Sequence, residues 1–218
     1  MSVAIVDADI QFGDVATMLD LTPTTAIDAL IPKLDQLDRH NIFEFLTEHE
    51  SGVAVLAAAS GGGRVWAELN PEGMKRIIDL LAQNFEFVVI DTAPSLDQMV
   101  RTCIGSSTLA LIVTSGEVSS IRDTTAVLAR LKAWGVPPDR LEILFNHTAH
   151  RSGVPVEDLT LAVNRKVFWQ VPYDRHVPVS VNQGQPVAFY NEGSDAARSL
   201  LSLSRRIAGT NKPLVQHQ

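Results

Sequence analysis

The 218-residue sequence contains a single cysteine, Cys103. One thiol excludes an intrachain disulfide and fits a reducing compartment. Cys103 lies in MVRTCIG with no metal-ligand pattern around it, and reads as a small buried residue on a helix. Long apolar runs are lacking too: none approaches about 18 residues, which excludes a membrane-spanning helix. The opening residues, MSVAIVDAD, have no basic stretch and turn acidic at once, so no signal peptide is expected. Positive charge is in deficit, with 18 Lys and Arg against 25 Asp and Glu, a net −7. A whole-surface basic field for nucleic acid is therefore absent. Arg198, Arg205, Arg206 and Lys212 gather near the C-terminus, where a solvated helix face plus tail accounts for them. His147, His150 and His176 show no spacing with Cys or carboxylates that would bind a metal. The remaining composition, 45% hydrophobic and 20% charged, is that of an ordinary globular core.

Apolar runs and helical periods alternate along the chain. Val3–Val6, Val53–Ala58, Phe87–Ile90, Thr108–Thr114, Leu141–Phe145 and Val167–Val171 read as apolar strands, and the continuous Phe87–Ile90 run suits one buried on both faces of a parallel sheet. Between them, helices are predicted at VATMLDL after Gly13-Asp14, at AIDALI, over Leu37–His49, from Asn70-Pro71 onward, over Leu96–Ile104 and over Ser119–Trp134. Two more follow, over Pro155–Val163 and Ser194–Ala208. Asp14 is the expected cap of the first, and Asn70 with Pro71 starts another. Met74, Ile77, Ile78 and Leu81 give that helix one apolar face, and Gly135 ends the helix before it. The alternation argues an α/β fold: a mostly parallel sheet with helices on both faces and right-handed crossovers. One domain is expected over residues 1–209, followed by a polar tail at 210–218.

The stretch FEFVVIDTAPSLD, residues 85–97, organises the rest. Four apolar residues end in Asp91, and Pro94 cannot extend a ladder. That places a carboxylate at the carboxyl end of a central strand, the edge where open α/β sheets bind ligands. A Walker B strand presents its Asp to a nucleotide's magnesium in this way. A turn-capping Asp is the simpler alternative. Asp7 and Asp9 stand likewise at the end of the first strand. The loop Ser60-Gly61-Gly62-Gly63-Arg64 also follows a strand. A phosphate cradle of the P-loop type needs GxxxxGK[ST], and the sequence has none. The loop therefore reads as a glycine-rich turn.

Taken together, VAIVDADIQFGDVATMLDL at 3–21, FVVIDTAP at 87–94, LEILFN at 141–146 and VPYD…VNQGQPV at 171–187 resemble the MinD/ParA group of deviant-Walker P-loop ATPases. The phrase DxDxQFGDVAxML points to the CpaE/TadZ branch, associated with Flp (Tad) pilus assembly. The resemblance covers essentially the whole chain, in the family's order. It implies a P-loop NTPase-like sheet binding ATP and Mg2+. It also implies roles by position. Asp9 matches the switch carboxylate that positions the attacking water. Asp91 matches the Walker B Asp that holds magnesium, with Asp7 expected near the metal. Asn146 matches the amide that reads the adenine edge, and Pro172 and Asp174 match the loop whose backbone lines the base. Implied partners are a second copy dimerised around ATP and pilus or secretion assembly proteins. Membrane contact would come only through such partners, nucleic acid is not expected, and the implied location is the cytoplasm, at a pole.

The sequence departs from the family at its first motif. KGGxGK[ST] is absent, and the chain starts one strand later, at the segment carrying Asp9. Both phosphate-binding lysines and the magnesium-binding hydroxyl go with it, and most stabilisation of the transferring phosphoryl with them. Loss of that strand from the sheet centre should leave two neighbouring strand edges unpaired. Three readings compete: part of a full ATPase, a short paralogue acting as a scaffold, or a binding module that kept only the fold. DNA partitioning of the ParA kind is a further alternative, disfavoured by the acidic charge.

Overall fold

The computed structural model describes residues 1–59, 69–148 and 153–210. They fall into two units, Met1–Thr108 and Leu109–Gln218. The glycine-rich loop at 60–64, His150, Lys212 and the residues after 210 lie outside the described residues.

In the first unit, Val3–Ala8 forms β1 and is followed by a short helix α1, Val15–Met18. Then come α2 (Ile27–Leu30), β2 (Thr47–Glu48), β3 (Ala54–Leu56), α3 (Pro71–Ala82), β4 (Phe87–Thr92) and α4 (Gln98–Ser106). The strand order is β2-β3-β1-β4. β1 pairs in parallel with both β3 and β4, and only the short β2 runs antiparallel. Successive residues of a strand point to opposite faces. Ala4 and Val6 of β1 and Val88 and Ile90 of β4 accordingly share one face. They pack there with Ile27, Leu30, Met74, Ile77 and Leu81 from the helices. Cys103 is buried in the same cluster, as its sequence context implied.

Helix starts follow side-chain caps. Asn70 Oδ1 accepts from Gly73 N at 2.7 Å and Pro71 occupies the first turn of α3. Asp97 Oδ1 accepts from Val100 N at 2.9 Å, so α4 begins at Gln98, two residues after the apolar pattern suggests. The helix expected over Leu37–His49 does not form. Residues Asn41–Phe45 make a 3-10 turn, and the chain then extends through Leu46 into β2. Only Ile42 and Phe45 of that turn are buried, a spacing of three, while Phe43 is exposed. Two anchors three apart suit the tighter helix and offer no α-helical stripe.

The second unit runs β5 (Ala110–Thr114), α5 (Val118–Ala133), β6 (Leu141–Asn146), α6 (Val156–Val163), β7 (Val167–Val171), α7 (His176–Asn182), α8 (Val187–Tyr190) and α9 (Asp195–Thr210). Its sheet is wholly parallel, in the order β5-β6-β7. β6 explains why LEILF is a nearly continuous apolar run. Ile143 and Phe145 pack with Ile121 and Leu159, whereas Leu144 packs with Val171, Ala196 and Leu203. Helices thus cover both faces of this sheet, as expected for parallel strands. Gly135, at φ +79°, ends α5 with its N–H on Lys132 O at 3.0 Å. The short helices α7 and α8 carry no clear sequence signal, because Pro178, Gly184 and Pro186 interrupt any period.

Ile77 is fully buried in the first core. Ile77→Ala should cost about 3 kcal/mol by cavity formation, read as a lowered midpoint in urea unfolding followed by circular dichroism.

Candidate functional site

β1 and β4 pair in register over six residues, from Val3 opposite Phe87 to Ala8 opposite Thr92. That register sets Asp7 directly across from Asp91. Parallel pairing sends both strands to the same sheet edge, so two carboxylates arrive there together and Asp9 follows in the next loop. The sequence placed all three at strand ends, and the ladder brings them to one edge. Asp91 lies inside the strand rather than beyond it, since β4 continues to Thr92.

The environments of the three differ. Asp7 is buried. Its Oδ1 accepts from Asp9 N at 3.3 Å and its Oδ2 from Val15 N at 3.2 Å. Burial pushes the Asp7 carboxyl up to about 6, and the charges of Asp91 and Asp9 add to this against those two hydrogen bonds. Asp91 is more exposed, and its carboxyl is also raised, first by desolvation and then by the charges of Asp9 and Asp14. Asp9 turns its carboxylate onto the following loop, where Oδ1 accepts from Phe12 N at 3.1 Å. The N–H of Val15, which opens α1, is taken by Asp7 and not by Asp14. Asp14 makes no side-chain cap, so that expectation is corrected. A cap from eight residues upstream arises because the loop folds back over the strand end.

Gly13 makes that return possible. A Cβ there would lie 2.4 Å from both Ala58 Cβ and Asp7 Oδ2. By sequence Gly13 only precedes the first short helix; the packed loop reveals why no side chain fits there.

In the second unit, Asn146 ends β6 beside Val171, and its side chain is exposed. Pro172 follows β7 directly. Asp174 then ties that loop to the next helix. Its Oδ1 accepts from His176 N at 2.9 Å and meets His176 Nδ1 at 2.7 Å, and its Oδ2 accepts from Ala196 N at 3.2 Å in the first turn of α9. These bonds, that from the His176 N–H foremost, hold the Asp174 carboxyl well below the usual carboxylate range. The Asp174 side chain is therefore committed internally. Sequence reading missed Glu117, at the carboxyl end of β5. Its carboxylate accepts from Ser115 Oγ and, at 2.8 Å, from Thr148 Oγ1, and these hydroxyls lower its pKa. A signal was present in the polar TSGE directly after an apolar strand.

No protein-family model matches the sequence. Its sequence relatives include the septum site-determining protein MinD of Synechocystis, 22% identical over 221 residues, covering 98% of this chain and 80% of that protein. The MinD of Thermotoga maritima is 24% identical over 151 residues, covering 67% of this chain and 55% of that protein. The chain thus matches about half the length of the Thermotoga protein. Among solved structures, a ParA family ATPase from Chlorobium tepidum superposes with a TM-score of 0.86 at 19% identity, over 94% of this chain and 85% of that one. MinD complexed with Mg-ADP from Pyrococcus horikoshii gives 0.78 at 21%, over 94% and 83%. MinD in the MinC:MinD complex of Aquifex aeolicus gives 0.77 at 19%, over 100% and 87%. The chain has the fold of the MinD/ParA ATPases.

Two expectations follow for this MinD/ParA-fold chain. Gly13→Ala should cost about 1–3 kcal/mol by overpacking. It should also expose the Val15 amide to faster hydrogen exchange, because the loop can no longer close on Asp7. Asp174 has a depressed folded pKa, so its contribution is fully present above about pH 4, the unfolded carboxylate range, and is lost as pH falls below it. Asp174→Asn should lower stability at pH 7 and flatten the acid limb of a stability–pH curve. An unchanged acid limb would show that Asp174 does not carry it.

Proposed function

We propose that this chain is the larger part of a MinD/ParA-type ATPase, closest to the CpaE/TadZ branch, which localises and assembles Flp (Tad) pilus machinery. The observation that carries the ATPase reading is the in-register pair Asp7 and Asp91, with Asp9 in the adjoining loop. The pilus assignment rests on the phrase DxDxQFGDVAxML. The location is the cytoplasm, and the partners are a second copy and assembly proteins.

The residues present fit magnesium in part. Two facing carboxylates with raised pKa are a repulsive pair that a divalent cation relieves. Among the described residues, no three His, Cys, Asp or Glu side chains are placed to hold a metal by themselves. Magnesium commonly takes one or two carboxylates and completes its shell with phosphates and water. Asp91 would hold the magnesium through water, and Asp7, with both oxygens engaged by backbone, would lie near its shell. When bound, the metal neutralises charge on the phosphates. Asp9 would orient the attacking water; within the second unit, the Asn146 amide and the backbone of Pro172 and Asp174 would be the contacts for an adenine. No lysine of the GK[ST] type is present to stabilise the transferring phosphoryl group.

A second reading takes its support from the sequence relatives, which are named septum site-determining proteins. It assigns the same nucleotide cycle to division-site or ParA-like partition positioning. A third is a scaffold without catalysis.

The chain as given should show ATP hydrolysis at background. Turnover by the purified chain that Asp91→Ala abolishes would overturn this. The wider reading is tested by the reading frame upstream of Met1 and the intact mass of the native protein. A frame encoding KGGxGK[ST] and a mass above 23.7 kDa support the ATPase. A stop codon close upstream, with a native mass of 23.7 kDa, replaces it with the scaffold. Salt-sensitive binding to non-specific DNA would favour partition over pilus assembly.

A further inference from the structure

A surface groove of about 600 Å³ runs alongside α3, wholly within the first unit. One wall is the 3-10 turn Ile31–Gln36, which contributes Leu34 and Asp35. The other is α3 itself, which contributes Glu72, Gly73, Arg76 and Leu80. Leu34 and Leu80 are partly buried and pack against the core, so part of the lining is aliphatic. Gly73 sets how closely the two walls approach. A Cβ there would lie 2.9 Å from Leu34 Cδ1 and 3.1 Å from Leu69 Cδ1, so a side chain would push the turn off the helix. Concave sites of this size, apolar with a few polar groups at the rim, are those that small molecules occupy.

The charges in the groove are arranged unusually. Opposite charges four residues apart on a helix are neighbours and commonly pair. Lys75 and Asp79 do so, at 2.6 Å. Glu72 and Arg76 have the same spacing and do not pair. Arg76 is turned instead toward the chain just past the 3-10 turn, where its Nη2 donates to Leu37 O at 2.7 Å. That bond holds the guanidinium in place and leaves its other N–H groups for a ligand. Glu72 has no ion-pair partner among the described residues, and neither has Asp35 on the facing wall. The groove thus offers an anchored cation and two uncompensated carboxylates beside aliphatic surface.

We propose that this groove binds a free α-amino acid with an aliphatic side chain. Such a ligand carries its ammonium and its carboxylate on one carbon, so it needs an acceptor and a donor side by side. Glu72 and Arg76 meet that need, since their spacing sets the Cβ atoms about 5–6 Å apart. The guanidinium takes the carboxylate in charge-assisted hydrogen bonds. Glu72 and Asp35 take the ammonium, and Leu34 and Leu80 take the side chain. A polyamine would leave Arg76 unanswered, and a simple anion would meet Glu72 and Asp35. None of these residues belongs to the Asp7 and Asp91 pair or to the nucleotide contacts, so the inference stands or falls apart from the proposed function.

The test is isothermal titration calorimetry of the full chain with L-leucine, and saturable one-to-one binding is expected. Leucine amide lacks the carboxylate and N-acetyl-L-leucine lacks the ammonium; each should bind about tenfold more weakly, through loss of charged hydrogen bonds. These controls leave the protein untouched. Glu72→Gln keeps the shape of the groove and should weaken leucine binding about tenfold while the urea midpoint stays unchanged. Absence of saturable leucine binding overturns the proposal. Equal affinity for leucine and either blocked form does the same. Unchanged affinity in Glu72→Gln also overturns it, because leucine would then bind elsewhere. Tighter binding of the dipeptide Leu-Leu than of leucine would replace the amino acid with a peptide.

Discussion

The parallel ladder between β1 and β4 is the constraint on which the first unit depends. It joins residues more than eighty positions apart, and it does so in a single register fixed by burial. Ala4 and Val6 must lie on the same face as Val88 and Ile90 to enter the core. A slip by one residue would turn each strand's buried set outward. The same register brings Asp7 opposite Asp91. The position of the carboxylate pair is thus a by-product of hydrophobic packing, and no local feature near either Asp could have produced it.

That pair is electrostatically costly. Burial and like charge both disfavour two ionised carboxylates side by side, as the raised pKa of each records. Part of the cost is met locally, since Asp7 accepts two backbone N–H groups and thereby anchors the loop that carries Asp9. Gly13 lets the loop come that close. Asp174 presents the opposite case. It is saturated by donors from the next turn and from the start of α9, and its pKa falls accordingly. The first pair carries like charge that its own contacts do not neutralise, while the second carboxylate is complete in its internal bonds.

Among the described residues, β4 and β5 each pair with a strand on one side only. Strand sequences such as FVVI and ALIV are those of strands with neighbours on both sides, yet each ends its ladder here. The likeness to MinD/ParA structures covers 83–87% of those chains, so those proteins carry residues with no counterpart in this one. The exposed Val89 and Val113 are where the sequence and the ladder disagree most.

Much of the architecture could be read in the sequence. The apolar runs gave β1, β3, β4, β5, β6 and β7 because parallel strands bury both faces and need unbroken apolar stretches. Asn70-Pro71 and Gly135 marked helix ends because caps and left-handed residues act locally. The segment 37–49 was misjudged, and α7 and α8 went unseen, because these short elements are held by tertiary packing and not by a period of their own. For the site, the sequence alone determined which residues carry charge and that they stand at strand ends. Only the tertiary structure decided that Asp7 faces Asp91, that Asp7 rather than Asp14 holds the start of α1, and that Asp174 spends its carboxylate internally. The first outcome depends on register between segments more than eighty positions apart; the other two depend on how a loop folds back, which neighbouring residues contain but do not announce.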